Sequence, residues 1–304
     1  MAKKYDVDQF YRDLVSNGLI IPVGVQGAFG RGKVFESIVE AFNGMIDHIS
    51  ANDGAEQMWF PPVINRTIIE RVHYLESFPH LCGAVHSFFG TELESKKLAE
   101  KAAAGEDWGS MLNMTQVALS PAACYPVYPT CTGTVPPEGR LVSITNWVFR
   151  HEPSPEPTRL QSFRMREFVR IGTADQVVEW RDAWLQKGIS ILQSLGLQAQ
   201  SDVASDPFFG RGGKVLGRSQ REQRLKFEVL VPVISLENPT AVCSFNFHQE
   251  HFGGTFDIRT ADGNVANTAC LGFGLERVTM ALLKEHGFDP GKWPSAVQNL
   301  LWPR

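Results

Sequence analysis

Two guanidiniums, two carboxylates and one aromatic ring fall at strand spacing inside residues 146–172, NWVFRHEPSPEPTRLQSFRMREFVRIG. Trp147 to Arg150 is aromatic and β-branched, Pro153, Pro155 and Pro157 interrupt it, and an extended pattern resumes at Arg159, so the segment reads as strand, turn, strand. Side chains two apart on a strand share a face. That spacing aligns Arg159, Gln161, Phe163, Met165 and Glu167, and on the partner strand it pairs Arg150 with Glu152. An antiparallel hairpin ordinarily has one apolar and one wet face, and mixed charges around a phenylalanine suit neither. Two readings fit. One is a solvated, salt-bridged hairpin; the other is a nucleotide site, with arginines for phosphate oxygens, a flat ring for the base and carboxylates for an amine or a cation.

The rest of the chain must position that hairpin. From residue 33 to about 51, Val34, Phe35, Ile38, Val39, Phe42, Met45, Ile46 and Ile49 recur at helical spacing and form one apolar stripe that needs a partner. In MWFPPVINRTIIERVHYLESFPHL, Pro61 and Pro62 reduce the run to an edge or interrupted strand, with a helical turn from Thr67. Residues 91–113 are charged and alanine-rich, as in a surface helix, and the Pro-, Gly- and Cys-dense stretch after them reads as loop. Residues 175–195 read as an amphipathic helix that Gly196 stops. Residues 206–226 are glycine-rich and then basic; LKFEVLVPVIS and AVCSFNFHQ read as strands, and NTACLGFG leads into a helix over 275–286. The expectation is an α+β fold, a mixed and mainly antiparallel sheet flanked by helices, as a single domain over 1–304 with an insertion around 190–225. Neither GxGxxG nor GxxxxGK[ST] occurs, which removes the two common parallel-sheet nucleotide folds.

Composition narrows the class. With 304 residues, 43% hydrophobic content and a net charge of -4, the chain can bury a large core but has no overall positive field for a nucleic-acid backbone. The five cysteines, at 82, 124, 131, 243 and 270, are odd in number and include no CxxC pair, unlike a secreted disulfide framework. The N-terminal stretch has no signal-like apolar run, and no apolar segment of about 18 residues occurs. A cytoplasmic location follows as an expectation.

Helix, Pro-Pro strand, FRHE(loop)RLQSFRMRE and GFGLERVTMAL, in this order, resemble motifs 1, 2 and 3 of the class II aminoacyl-tRNA synthetases, over residues 33–290. PPVINRTIIERVHYLESFPHL is most similar to the seryl enzymes. In those enzymes a tRNA-gripping domain precedes motif 1 and the motif 2 loop reaches for tRNA; here motif 1 begins near residue 33 and that loop is PSPEPT. The sequence therefore resembles more closely the amino acid:carrier protein ligases, truncated relatives of the atypical zinc-dependent seryl enzymes. That resemblance implies ATP-dependent activation of a small amino acid to the aminoacyl-adenylate and transfer to the phosphopantetheine thiol of a carrier protein, by a homodimer that does not use tRNA. A stand-alone seryl-type tRNA-charging core and a non-catalytic amino acid or nucleotide sensor are the alternatives; the motif 2 and 3 arginines speak against the second.

The resemblance also assigns residues. Arg150 would hold the α-phosphate of ATP, Glu152 would accept from the adenine amino group, and Phe163 would stack under the base with Arg277 over its other face and against the γ-phosphate. Arg159 would hold the β,γ-phosphates and Leu160 would offer backbone contacts. Ser244, with Ala241 and Cys243, falls where the seryl enzymes make nucleotide and magnesium contacts, although Ala241 replaces the acid usual there. Gly272 and Gly274 would let the backbone approach the ligand. Zinc would be held by Cys131, Glu167 and Cys270, two thiolates and a carboxylate with a fourth position left for the amino group of the substrate. PAAC, residues 121–124, stands where the seryl enzymes carry a polar segment for the serine hydroxyl, which favours glycine, then alanine. The basic run Arg211, Lys214, Arg218, Arg221, Arg224 and Lys226 is either a solvated face or the contact for an acidic carrier.

Overall fold

The computed structural model describes residues 7–303; residues 1–6 of the polar N-terminal stretch, and Arg304, lie outside the described residues. Its centre is a seven-stranded sheet built from β1 (Glu56–Met58), β2 (Arg140–Phe149), β3 (Ser162–Gly172), β4 (Gln200–Val203), β5 (Lys226–Val231), β6 (Thr240–Gln249) and β7 (Asn267–Gly274). The spatial order is β4-β5-β6-β7-β3-β2-β1, antiparallel throughout except where β1 runs parallel to β2. The mixed, mainly antiparallel sheet expected from the sequence is the one found. The hairpin is β2 and β3, its strands paired from Arg140 opposite Ile171 to Phe149 opposite Ser162.

Alternation along β3 divides the sheet into a helix face and an open face. Phe168 stacks on Trp184 at 5.0 Å, Arg166 reaches Asp47 at 2.8 Å, and Arg164 bridges Glu36 and Glu276, so the even-numbered positions meet the helices. Those helices are α1 (Lys33–Ile49), α2 (Ala174–Ser194) and, C-terminal to an intervening helix α3 (Gly210–Glu222), α4 (Leu275–His286). Helix α1 buries Phe35, Ile38, Val39, Phe42, Met45 and Ile46, the stripe read from its spacing. Each such side chain contributes on the order of 1.5–3 kcal/mol by leaving water. Helix α2 opens on a reciprocal cap between Thr173 and Gln176 and brings Gly188 against the sheet, where a Cβ would come within 2.9 Å of Phe245. The odd-numbered positions Phe163, Met165 and Glu167 face the other way, into a pocket.

The Pro-Pro run is an interrupted strand, as expected, with β1 at the edge of the main sheet and a strand Val63–Asn65 at the edge of a separate three-stranded sheet with Asn113–Leu119 and Ala84–Ser87. Two expectations need correction. Arg159 and Gln161 do not extend the row of Phe163, Met165 and Glu167, because β3 begins at Ser162 and its backbone partner ends at Phe149. Residues 210–222, read as a glycine-rich stretch, form α3; Gly213 and Gly217 are its buried positions, and a Cβ on Gly213 would come within 2.5 Å of the Phe208 carbonyl. Glycine lowers helix propensity, but here its small size lets the helix lie against residue 208. Among the described residues no helix is long and apolar enough to cross a membrane.

Candidate active site

The open face of the sheet forms the floor of a cavity of about 450 Å³. Cross-strand register sets what it displays. Glu228 on β5 lies opposite Ser244 on β6, Ser244 opposite Gly272 on β7, and Gly272 opposite Glu167 on β3. In the neighbouring row Lys226 lies opposite Asn246, and Asn246 opposite Cys270. Glu167 and Cys270 are thus diagonal neighbours on adjacent strands, within side-chain reach of each other. Gly272 leaves room beside Glu167, since a Cβ there would stand 3.1 Å from Glu167 Cγ and 3.2 Å from Met165 Cε.

At one end of the cavity, Cys124, Glu167 and Cys270 are buried with their ligand atoms all within 4.8 Å of one another. The segment 121–124 crosses above the sheet: the Ala123 amide donates to one Glu167 oxygen and the Cys124 amide to the other, each at 2.9 Å. The carboxylate is therefore fixed, each oxygen held by a backbone amide. Cys270 Sγ lies 3.5 Å from both Asn246 Nδ2 and His248 Nε2. Hydrogen bonding from the Cys124 thiol, opposed by burial and helped by His248 and Asn246, holds Cys270 well below the usual thiol range; the same contact, with burial, keeps Cys124 well above it. Burial, then the charge of Cys270, pushes Glu167 up to about 7. Three acids crowded in a dry corner resist carrying three charges, and a cation would relieve that. Two sulfurs and one carboxylate are good zinc donors, and at bond lengths of about 2.0–2.3 Å they would need to draw together by no more than about an ångström. The donor set fits zinc with one position open.

Cys131 is not part of this grouping. Its thiol accepts from Arg140 Nη1 at 3.3 Å and touches Thr130, while Arg140 is held by Glu56. Cys124 and Cys131 stand seven positions apart ahead of motif 2, and the chain turns between them: the Val127 amide bonds the Cys124 carbonyl, and a short 3-10 helix, Tyr128–Cys131, carries Cys131 away. Cys124, read only as part of a side-chain pocket, is the cysteine beside Glu167.

The other end of the cavity is cationic. Arg150 donates to the Pro121 carbonyl at 3.0 Å, and its guanidinium lies 5.8 Å from the centroid of Phe163. Arg277 is fixed by the carbonyls of Thr158 and Ala241, at 2.9 and 3.0 Å. Burial, and then the like charge of Arg150, lowers the Arg277 pKa from its ordinary value. Two fixed guanidiniums that repel each other in a half-buried pocket suit an anion. Arg150, Phe163, Glu167, Ala241, Cys243, Ser244, Cys270 and Arg277 all line the cavity, as do Gly272 and Gly274. Glu152, Arg159 and Leu160 do not: Glu152 and Arg159 act on Arg277 only through their charge, Arg159 pairs with Glu156 at 57% side-chain exposure, and Leu160 is buried.

Sequence reasoning missed several wall residues. Asn246 and His248 follow Ser244 at strand period two, a signal present in AVCSFNFHQ. Lys226, counted in the basic run, is buried with Nζ 2.7 Å from Asp206 and 3.0 Å from Glu228, so it is a neutralised wall residue; Arg211, Lys214, Arg218, Arg221 and Arg224 remain exposed. Leu216 and Gln220 place α3 itself on the cavity wall.

No family model matches the chain. It is 44% identical over 292 residues to amino acid–acyl-carrier-protein ligase 1 of Bradyrhizobium diazoefficiens, covering 95% of this chain and 89% of that protein. Ligase 2 of the same organism is also 44% identical, over 291 residues and 87% of its length. The type-2 serine–tRNA ligase of Methanopyrus kandleri is 26% identical over 83% of this chain and 52% of its own. Among solved structures, M. kandleri seryl-tRNA synthetase in complex with A. aeolicus tRNASec superposes with a TM-score of 0.80 at 22% identity, over 99% of this chain and 61% of that one. Prolyl-tRNA synthetase of Giardia lamblia follows at 0.70 and 16%, over 97% of this chain and 55% of that one. The fold is that of the class II aminoacyl-tRNA synthetases, and the chain belongs to the family of amino acid–acyl-carrier-protein ligases.

Proposed function

We propose that this enzyme activates a small amino acid, glycine and then alanine, with ATP, and passes it from the aminoacyl-adenylate to the phosphopantetheine thiol of a carrier protein. The observation that carries the reading is one cavity with a buried Cys124–Glu167–Cys270 grouping at one end and the fixed guanidiniums of Arg150 and Arg277 at the other. An amino acid binds between them with its amine toward the sulfurs and its carboxylate toward the arginines. Zinc, when bound by Cys124, Glu167 and Cys270, supplies an open position for a free amine.

In the first step Arg150 takes the α-phosphate and Arg277 the γ-phosphate, with Phe163 beneath the adenine. A carboxylate oxygen of the amino acid forms a bond to the α-phosphorus as the bond to pyrophosphate breaks. Holding charge on the phosphoryl oxygens is most of what that exchange needs. In the second, the carrier thiol gives its proton to a phosphate oxygen of the adenylate or to solvent, its sulfur bonds to the acyl carbon, and the bond from that carbon to AMP breaks. Ser244 would contact the magnesium that comes with the nucleotide, which would neutralise phosphate charge. Glu152, Arg159, Leu160, Ala241 and Cys243 remain proposed nucleotide contacts, the first three on the grounds of the motif resemblance. The exposed basic face of α3, beside the cavity wall, suits an acidic carrier.

Glycine is favoured because the segment over the amine site is Pro121-Ala122-Ala123-Cys124, with no acid for a serine hydroxyl. The single methyl that separates alanine from glycine discriminates by only about 1–3 kcal/mol, so alanine follows at a lower rate. We also propose a homodimer: Trp59 is 76% exposed beside Asn43, Asp47 and the buried Arg166, whose Nε has no partner, and a second copy would cover that face. Five free cysteines are in keeping with a reducing cytoplasm.

Pyrophosphate exchange with each of the twenty amino acids, followed by offering labelled amino acid to tRNA and to a phosphopantetheinylated carrier together, tests the proposal. Exchange driven by glycine, with label moving to the carrier, is expected. Silence with glycine, alanine and serine, or label on tRNA alone, would overturn it.

A further inference from the structure

We propose that Tyr128 is a positioning residue for the Cys124 thiolate: its hydroxyl donates to that sulfur once a metal is bound, so that each sulfur of the site has its own donor. This rests on the reading of Cys124, Glu167 and Cys270 as a metal site. Tyr128 is fully buried, and its hydroxyl has no hydrogen-bond partner. The ring meets His248, whose Nε2 lies 3.5 Å from Cys270, and burial, followed by the charges of Cys124, Cys270 and Glu167, holds the Tyr128 pKa well above its ordinary value. A buried polar group without a partner in a native fold calls for an explanation, and here the sulfur beside it supplies one.

The ring cannot turn its hydroxyl elsewhere. It stacks face to face on Phe252 with centroids 3.9 Å apart and planes 5° from parallel, packs beyond that on Phe256, and meets the His248 ring edge-on. The Val127 amide bonds the Cys124 carbonyl, a turn that keeps residue 128 close to Cys124 along the chain's path. The other sulfur is already served. Asn246 Nδ2 and His248 Nε2 both lie 3.5 Å from Cys270, and His248 Nδ1 lies 3.1 Å from the Thr268 hydroxyl; with that hydroxyl donating, the imidazole proton sits on Nε2, toward the sulfur. Cys124 has no such donor other than Tyr128 among the described contacts. Donors to a metal-bound thiolate fix its direction and moderate its charge, and losing one costs about 10- to 100-fold in metal affinity.

The test is Tyr128→Phe, which keeps the stack on Phe252 and removes only the oxygen. Zinc affinity of the full chain is measured by competition with a chromophoric chelator, and the sulfur-to-metal charge-transfer band is recorded with cobalt(II). The expected result is zinc binding about 10- to 100-fold weaker than the parent, with the band at longer wavelength because a sulfur without its donor gives up electron density more readily. Apo-protein melting at or above that of the parent is also expected. Affinity within about twofold of the parent with an unmoved band overturns the proposal, as does a weakened affinity matched by an equal loss of apo stability, which would make Tyr128 a packing residue only. If the parent itself takes up neither metal, the metal-site reading fails, and this inference with it; the parent arm separates that result from the others.

Discussion

Replacing Cys124 with serine, next to the same change at Cys131, separates two assignments that look alike in sequence. Only Cys124 has its sulfur within 4.8 Å of the ligand atoms of Glu167 and Cys270; Cys131 sits against Arg140 at 3.3 Å. A protein zinc site is worth about 10–16 kcal/mol at neutral pH, or roughly 2.5–4 kcal/mol for each of four ligands. A serine hydroxyl stays protonated and recovers little of that share. At about 1.4 kcal/mol per tenfold, Cys124→Ser should weaken zinc binding by roughly two to three orders of magnitude and abolish glycine-dependent pyrophosphate exchange at ordinary metal levels. Cys131→Ser should bind zinc within about twofold of the parent, since it changes only a contact to Arg140. Chelator competition gives both constants, and elemental analysis after gel filtration gives the stoichiometry. Loss of metal from Cys131→Ser with retention in Cys124→Ser would refute the assignment.

Gly272→Ala places a Cβ 3.1 Å from Glu167 Cγ, and Glu167 cannot move aside because both oxygens are held by backbone amides; we expect a stability loss of about 1–3 kcal/mol by urea unfolding and a measurable fall in zinc affinity. Arg150→Lys should lower the exchange rate by about 100-fold or more while ATP-independent metal binding is unchanged, because a point charge does not replace a fork at the α-phosphate. Lys226→Met strands Asp206 and Glu228, whose side chains keep 32% and 25% exposure; the loss should be about 2–3 kcal/mol, below the 3–5 typical of complete burial. Burial would raise Asp206 and lower Lys226, but the attraction between them wins, leaving Asp206 below and Lys226 above their ordinary values. The difference between parent and variant should therefore be flat through neutral pH, shrink as pH falls through the lowered Asp206 value, and shrink again as pH rises through the raised Lys226 value. A difference that peaks at either extreme would contradict it.

What was legible in the sequence followed from periodicity and from motif order. The stripe on α1, the start of α4 at Leu275 and the hairpin around the proline-bearing turn all came from local patterns that the packed fold preserves. Arg150, Phe163 and Arg277 share a cavity as the motif resemblance implied. What failed depended on chain path. Nothing local tells which of Cys124 and Cys131 turns toward Glu167, because the choice is made by the turn at Val127 and by the two amides that grip the carboxylate. Nor does composition tell that Lys226 is buried between two acids while Arg211, Lys214, Arg218, Arg221 and Arg224 are exposed; that follows from Lys226 opening β5 opposite Asn246 on the pocket floor. The helix of α3 was hidden by its glycines, whose missing side chains are what let it pack.

The most direct measurement is X-ray absorption at the zinc edge on freshly purified protein. The account predicts about one zinc per chain with two sulfur neighbours near 2.3 Å and the remaining neighbours light atoms, falling to one sulfur in Cys124→Ser reloaded with excess zinc and staying at two in Cys131→Ser. Absence of stoichiometric metal, or a sulfur count that follows Cys131 in place of Cys124, would contradict it.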